Sequence, residues 1–135
     1  MNLFPKRLRK LSLRTLTDLH QKGNVLFHYP YKIFYLIRST PTDAHSECKI
    51  VISVPKRNFK RAIARNRIKR QIREAFRLNS SVLNQELATQ GKQIDILCLY
   101  LPHEHTPTSL LFIKMESLLQ RLAQLVAQVE SQINS

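Results

Sequence analysis

A chain of 135 residues is long enough to bury one hydrophobic core and too short for two comfortable ones, so we expect a single domain over residues 1–135. Its 22 Lys and Arg against nine Asp and Glu give a formal net charge of +13, which favours a polyanionic partner, because basic side chains that neutralise phosphates release condensed counterions. The hydrophobic content of 43% excludes a disordered basic tail.

Membrane spans, secretion signals and disulfides are not predicted. No apolar run approaches the roughly 20 residues of a membrane span, and the first residues lack the apolar stretch of a signal peptide. Cys48 and Cys98 lie in apolar, strand-like stretches without the spacing of metal ligands. This pattern favours buried free thiols over a disulfide. We therefore expect a cytoplasmic protein that has no membrane partner.

The chain begins with a basic arm, residues 1–12, whose Lys and Arg are not balanced by any acid. Ser12 is placed to cap a helix, and leucines recur at helical spacing after it. Gly23 and Asn24 form a natural stop. We predict a first helix over residues 13–22.

Three strands are predicted next. Residues 25–29 and 32–39 are rich in β-branched and aromatic side chains and flank Pro30, which cannot donate to a strand ladder. They predict two strands joined by a tight bend. Residues 48–54 form an almost continuous apolar run, typical of a strand that is buried on both faces.

A basic amphipathic helix is predicted over residues 62–79. Apolar side chains recur at helical spacing along one side of it: Ala64, Ile68, Ile72, Ala75 and Phe76. The other side is cationic around Asn66: Arg65, Lys69, Arg70, Arg73 and Arg77. Like charges three or four residues apart repel one another, so we expect an anionic partner on this side.

The rest of the chain predicts a weaker helix over residues 80–89, a central strand over 94–101 after Gly91, and a long helix over 108–134. Apolar residues in the long helix repeat at alternating steps of four and three. A coiled-coil seam fits this spacing, but we favour a helix that covers one face of the sheet, because the strands need a helix layer.

Residues 53–77, reading SVPKRNFKRAIARNRIKRQIREAFR, resemble the signature of the protein component of bacterial ribonuclease P, with its Arg-Asn-Arg helix at Arg65, Asn66 and Arg67. The resemblance covers residues 4–101 and extends by topology to the last helix. It implies an α/β (α+β) two-layer sandwich of αβββαβα order, similar to the ribosomal-protein domain-2-like fold. It also implies a left-handed crossover through the basic helix, against the general rule for parallel strands.

The resemblance implies that the basic helix binds the catalytic RNA subunit. Arginine suits structured RNA, because its planar fork can bond two phosphate oxygens and stack on a base. The residues implied are Arg61, Arg65, Asn66, Arg67, Lys69, Arg70 and Arg73. The alternative is a solvated helix face on which Arg70 and Glu74 form an ordinary ion pair, but charge of one sign is wasted on solvation alone.

The resemblance further implies that the 5′ leader of precursor tRNA passes between the sheet and the first helix. An extended single strand needs flat rings for its bases and cations for its phosphates. The position-matched candidates are Leu16, His20, Lys32, Tyr35 and Lys56. The family often has aromatic rings where this chain has Leu16 and His20, so Phe34 and Tyr31 are possible substitutes. Since successive strand residues face opposite ways, at least one of Phe34 and Tyr35 belongs to the core.

A second departure from the family is the segment Phe59, Lys60 and Arg61, where many members have a glycine and one residue fewer. The bend before the basic helix is therefore left open by the sequence.

The sequence holds no catalytic constellation. The acids are scattered, the histidines lack a base partner, and neither a Gly-rich phosphate loop nor a Cys-rich metal site is present. His103, Glu104 and His105 could touch a metal, but a solvated loop is favoured. The resemblance implies that the RNA subunit, with its bound Mg²⁺ ions, cleaves precursor tRNA endonucleolytically, while the protein binds RNA and holds no metal.

Two other functions fit a basic RNA-binding fold less well. A ribosomal or ribosome-assembly protein without an enzymatic role would show the same charge and the same fold. A helix-turn-helix DNA binder is disfavoured, because the basic helix is flanked by strands and not by a short turn and a partner helix. We therefore expect RNA partners and no DNA partner.

Overall fold

A computed structural model of the protein describes residues 23–39 and 48–134, which form a four-stranded sheet and three helices. The elements are β1 (Asn24–His28), β2 (Tyr31–Ser39), β3 (Cys48–Ser53), α1 (Ala62–Asn79), α2 (Ser81–Gln90), β4 (Lys92–Tyr100) and α3 (Thr108–Asn134). Each element predicted within these residues is present, with its ends moved by no more than two residues. The predicted basic arm, residues 1–12, and the predicted helix over 13–22 lie outside the described residues.

The sheet has the strand order β1-β2-β4-β3. β3 runs parallel to β4, and the other two pairings are antiparallel. The α1–α2 connection therefore crosses between two neighbouring parallel strands, as the mixed α/β prediction requires. The left-handed sense of that crossover stays a prediction.

Local sequence explains where the crossover helices end. Neither Gly nor Pro interrupts residues 56–90, so the chain can remain helical with a single break near Ser80. Gly91 ends α2 in the left-handed conformation, with φ of 63°, and its N–H donates to the carbonyl oxygen of Ala88. Only glycine adopts this conformation without a steric cost, which allows β4 to begin at once.

The core lies between the sheet and the helices. Alternate strand residues point into it, as in the row Leu26, Ile33, Cys98 and Ile52 across all four strands. The apolar side of α1 and a stripe of α3 complete it: Ile68, Ile72, Ala75, Phe76, Leu111, Met115, Leu118, Leu122 and Val126. The stripe of α3 is thus used inside the protein, which favours cover for the sheet over a coiled-coil seam.

Both cysteines are free and buried, as predicted. Burial raises the pKa of the Cys98 thiol to about 12, so this group stays protonated and packs as a small apolar side chain. Tyr31 is also fully buried, and its hydroxyl donates a hydrogen bond of 2.9 Å to the backbone oxygen of Leu111. This bond ties the start of β2 to α3.

None of the helices in the described part of the chain is long and apolar enough to span a membrane.

Candidate nucleic-acid interface

The outer surface of α1 is cationic. Ile68 and Ile72 turn inward and are almost completely buried. Arg65, Lys69 and Arg73 follow one another at steps of four along one flank, where each is half-buried. Asn66, Arg67 and Arg70 lie farther out and are exposed, as is Arg61 just before the helix. The predicted set of RNA-subunit residues therefore shares one continuous side of the molecule.

Arg65 has a structural task that the sequence did not indicate. Its Nη1 donates to the backbone oxygens of Phe59 at 2.7 Å and Lys60 at 2.9 Å. The side chain thus folds back and satisfies two carbonyl groups of the bend that precedes α1. Arg65 fixes the start of the basic helix in addition to contributing charge.

Phe59 anchors the same bend from below. Its side chain is 9% exposed, and its ring centroid lies 6.0 Å from that of Tyr100 and 5.5 Å from that of His105. A turn closed by the Asn58 N–H and the Pro55 oxygen, at 3.1 Å, precedes it. The bend at residues 59–61 is therefore built around an apolar anchor.

Replacing Arg65 with alanine is expected to lower the free energy of unfolding by about 1–3 kcal/mol, because two bend carbonyls lose a charged donor. Arg67→Ala is the matched control and should change it by less than about 0.5 kcal/mol, since Arg67 is exposed. Urea denaturation of the full chain measures both variants. Equal losses in the two would show that the Arg65 bonds do not stabilise the bend.

The acid on the basic helix is engaged near its C-terminal end. The Glu74 carboxylate accepts hydrogen bonds from the Arg77 guanidinium, one of them 3.0 Å long from Nε, and these bonds lower the pKa of Glu74. The alternative of a solvated face supposed a pair between Glu74 and Arg70, but the carboxylate faces Arg77 instead. The cationic character of α1 is therefore greatest in its first three turns.

The cationic side chains of this surface are crowded. Partial burial and then the neighbouring charge of Arg70 lower the pKa of Arg73. Both causes oppose the charged form of the guanidinium. An anion bound over this flank would relieve them, as expected of a surface that binds phosphates.

The sheet face opposite α1, α2 and α3, called here the open face, is the second candidate surface among the described residues. Two cross-strand rows lie on it: Phe27, Lys32, Leu99 and Ser53, and beside them Val25, Phe34, Leu97 and Val51. Lys32 Nζ lies 5.1 Å from the centroid of the Phe27 ring and 5.2 Å from that of Phe34. Proteins bind an extended single strand with rings that stack on its bases and cations that contact its phosphates.

The other end of the open face carries an ion pair. Asp95, in the central strand β4, is 4% exposed, and its Oδ2 lies 3.2 Å from Arg38 Nε. Lys49 is its register partner on β3. An acid therefore offsets one of the two basic residues at this end, and the rings of Phe27 and Phe34 lie at the other end.

The structure places one predicted leader residue, Tyr35, away from the open face. Tyr35 is 9% exposed and packs in the core beneath the helices, on the side of the sheet away from Lys32. Tyr31, considered as a substitute, is fully buried on that same side. Phe34 is the ring of β2 that shares the open face with Lys32. The charge of Lys32 could have indicated that Phe34 and not Tyr35 lies on the open face, because residues two apart in a strand face the same way.

The other predicted leader residues have different outcomes. Lys32 lies on the open face, and Lys56 is exposed just after β3. Leu16 and His20 lie outside the described residues. Phe27, which the sequence did not single out, is 63% exposed on the open face. Its position opposite Lys32 follows from the tight bend between β1 and β2.

No group of three or more His, Cys, Asp and Glu side chains within residues 23–39 and 48–134 is arranged to hold a metal ion. His103, Glu104 and His105 are exposed in the loop between β4 and α3. The Tyr100 hydroxyl donates to the Glu104 backbone oxygen at 2.6 Å, so this loop is held through its backbone.

Known proteins resemble this chain in sequence. The Ribonuclease P family model matches residues 4–123. A ribonuclease P protein component from Porphyromonas gingivalis is 41% identical over 73 residues, which are 54% of this chain and 50% of that protein. One from Marinobacter nauticus is 31% identical over 90 residues, 67% of this chain and 65% of that protein. The matched stretch thus spans one half to two thirds of these relatives.

Solved structures show the same fold. The Staphylococcus aureus RNase P protein superposes with a TM-score of 0.64 and 21% identity, covering 87% of this chain and 96% of its own. The Thermotoga maritima RNase P protein gives a TM-score of 0.63 and 23% identity, covering 84% of this chain and 96% of its own.

Proposed function

The chain belongs to the ribonuclease P protein family, and on that premise we propose that it is the protein subunit of a ribonuclease P ribonucleoprotein. In this role it binds a catalytic RNA subunit and the 5′ leader of precursor tRNA. It promotes the endonucleolytic removal of the leader, which leaves the mature 5′ end of the tRNA. One observation carries the proposal: the cationic Arg-Asn-Arg helix and a ring-and-lysine sheet face occur in the same small fold.

The basic helix is proposed to bind the RNA subunit. The exposed guanidinium groups of Arg67 and Arg70 can each bond two phosphate oxygens, and the half-buried flank of Lys69 and Arg73 adds charge beside them. Asn66 is exposed between them and can make a directed hydrogen bond. Such a surface neutralises several phosphates at once, which favours RNA assembly at low salt.

The open face is proposed to bind the leader. The rings of Phe27 and Phe34 can stack with bases, and Lys32 between them can contact the phosphate that links those bases. Both functions belong to binding and positioning. Mg²⁺ ions held by the RNA subunit would supply the activated water and stabilise the charge of the transition state.

Reconstitution tests this function. The full chain, combined with a bacterial ribonuclease P RNA subunit at low Mg²⁺, is expected to raise the rate of leader removal at least about tenfold, because its cations replace counterions that Mg²⁺ would otherwise supply. The Arg67→Glu/Arg70→Glu protein is the matched control and should give little gain. No gain from the wild-type chain, together with tight binding to ribosomal RNA, would favour the ribosomal alternative.

A further inference from the structure

One large apolar side chain projects from the cationic side of α1. Ile63, in the first turn of the helix, is 83% exposed, whereas the other exposed large apolar side chains of the described residues range from 37% to 64%. A single exposed apolar residue is ordinary on a protein surface. Ile63 is distinguished by its surroundings, because the next exposed residues along the helix are Asn66, Arg67 and Arg70. Neither predicted RNA-binding set includes it.

Helix geometry places Ile63 in line with these residues. Each residue of an α-helix turns about 100° around the axis and rises about 1.5 Å, so Ile63 and Arg70 point within about 20° of each other, roughly 10 Å apart. Asn66 and Arg67 follow Ile63 by three and four residues, at the spacing of helical neighbours. Ile72, on the opposite side of α1, is fully buried. Ile63 therefore belongs to the outermost strip of the helix.

The side chain of Ile63 does not serve the core. The next residue, Ala64, packs against the core cluster, whereas Ile63 remains in solvent. At an exposed helical position isoleucine is also a poorer helix former than alanine. An RNA that lies on Arg67 and Arg70 would cover Ile63, and removing its apolar surface from water would then stabilise the complex.

The charges beside Ile63 indicate which part of an RNA would cover it. Guanidinium groups of Arg67 and Arg70 can bond phosphate oxygens, so the RNA group over Ile63 lies between bound phosphates. A duplex presents phosphates, ribose hydroxyls and base edges to a protein, and all of these are polar. Loops and bulges of structured RNA present whole base faces, which are apolar. A base face matches an aliphatic side chain better than a duplex does.

We propose that Ile63 packs against an unstacked base of the ribonuclease P RNA subunit, between phosphates that Arg67 and Arg70 bind. The proposal rests on the proposed function of α1 and adds an apolar contact to it. Phosphate contacts alone do not distinguish one RNA from another of equal charge. A contact that needs a free base face favours a folded RNA with a loop or bulge at this place over a plain duplex.

Removal of the side chain tests the contact. Ile63→Ala is expected to weaken binding to the RNA subunit by roughly 10- to 50-fold, because three buried carbon groups are lost. The loss should be the same at every salt concentration, since no phosphate contact is removed. Leu78→Ala is the matched control, because Leu78 is 54% exposed on the same helix but lies beyond Glu74, which pairs with Arg77. Its affinity should equal that of the wild type.

Folding does not confound these variants. Ile63 is exposed and alanine is the best helix former, so the urea midpoint of Ile63→Ala should be equal to or higher than that of the wild type. Ile63→Lys separates an apolar contact from added charge. Over a base face, this variant should bind no more tightly than the wild type. Over phosphates, the new cation would strengthen binding and steepen its salt dependence.

Crosslinking identifies the RNA group that lies over residue 63. The chain has two cysteines, Cys48 and Cys98, and both are buried, so a thiol-reactive photo-crosslinker labels Ile63→Cys at residue 63 alone. After assembly with the RNA subunit and irradiation, primer extension maps the crosslinked nucleotide. We expect an unpaired nucleotide of the RNA subunit.

The contrary outcomes are distinct. Equal affinities of Ile63→Ala and the wild type, or equal losses in Ile63→Ala and Leu78→Ala, would overturn the contact while RNA binding by the arginines of α1 stands. Tighter binding by Ile63→Lys, or crosslinks confined to paired nucleotides or to precursor tRNA, would overturn the unstacked base of the RNA subunit. A wild-type chain that does not bind the RNA subunit would overturn the proposed function of α1 and this contact with it.

Discussion

Replacing Arg67 and Arg70 with glutamate is expected to weaken binding to the ribonuclease P RNA subunit by roughly 100-fold or more at low salt. Both side chains are exposed on α1 and face away from the core. Each reversal removes a cation that can neutralise a phosphate and adds repulsion at the same place. Arg65 is left intact, because its bonds to the bend would confound binding with folding.

Salt dependence identifies the cause of this weakening. The slope of log affinity against log salt should become shallower by about 0.7–0.9 for each phosphate that the protein no longer neutralises, so by about 1.4–1.8 for the double variant. Filter binding at several salt concentrations measures it. A slope equal to that of the wild type would show that these two arginines do not bind phosphates.

A charge-matched control separates position from net charge. Lys114→Glu/Arg121→Glu removes two units per reversal, as the α1 variant does, so both proteins fall from +13 to +9. Lys114 and Arg121 lie on the side of α3 that faces His28 and the backbone of Phe27. The control should lose only a small part of the affinity. Equal losses in both variants would leave α1 without a specific role.

The second large effect concerns the leader. Phe27→Ala/Lys32→Ala is expected to lower the affinity for precursor tRNA about 10- to 100-fold, because a stacking ring and the cation beside it are removed together. Affinity for mature tRNA, which has no leader, should hardly change. Phe27 is largely exposed, so its truncation costs little stability. Equilibrium binding of the holoenzyme to both tRNAs measures the difference.

Tyr35→Phe is the control for this surface. The Tyr35 ring lies in the core between the sheet and the helices, so loss of its hydroxyl should leave the affinity for the leader unchanged. A drop comparable to that of the double variant would return Tyr35 to the leader site. Equal affinity of the Phe27→Ala/Lys32→Ala enzyme and the wild type for precursor tRNA would exclude the open face.

Periodicity predicts the helices well, because burial of one side is written into the sequence at fixed spacing. The helix predicted over residues 62–79 has the bounds of α1, and the apolar steps of the last helix give α3 correctly. The strands follow from apolar runs with turn residues at their ends. That the whole chain forms one domain stays a prediction, since residues 1–22 are not described.

The side of the sheet on which a strand residue lies, and the order in which the strands pair, are harder to predict. Alternation shows that Phe34 and Tyr35 point opposite ways, but it does not say which side the helices cover. The order β1-β2-β4-β3 depends on how a crossover packs, which no local pattern determines. The family resemblance supplies the topology and assigns Tyr35 to the leader, whereas the structure places the Tyr35 ring in the core.

The roles of side chains that bond to a bend cannot be predicted from the sequence, for a similar reason. The Arg-Asn-Arg triplet assigns Arg65 to RNA, yet its bonds to Phe59 and Lys60 exist only once the chain has turned. In the sequence, Phe59 belongs to a segment in which the resemblance gives many family members one residue fewer. In the structure, its ring packs against that of Tyr100. A cavity beside them joins two segments about forty residues apart, which sequence spacing cannot bring together.

The crowded flank of α1 also affects the stability of the protein when no RNA is bound. Partial burial and the neighbouring charge of Arg70 both oppose the charge of Arg73, and phosphates bound over this flank would offset that cost. A partner that binds only the folded form stabilises it by mass action. Added salt should therefore have two opposite effects. It should raise the free energy of unfolding of the free protein, because it screens the repulsion, and it should weaken the binding of the protein to the RNA. The amount of available RNA would then determine what fraction of the protein is degraded by proteases.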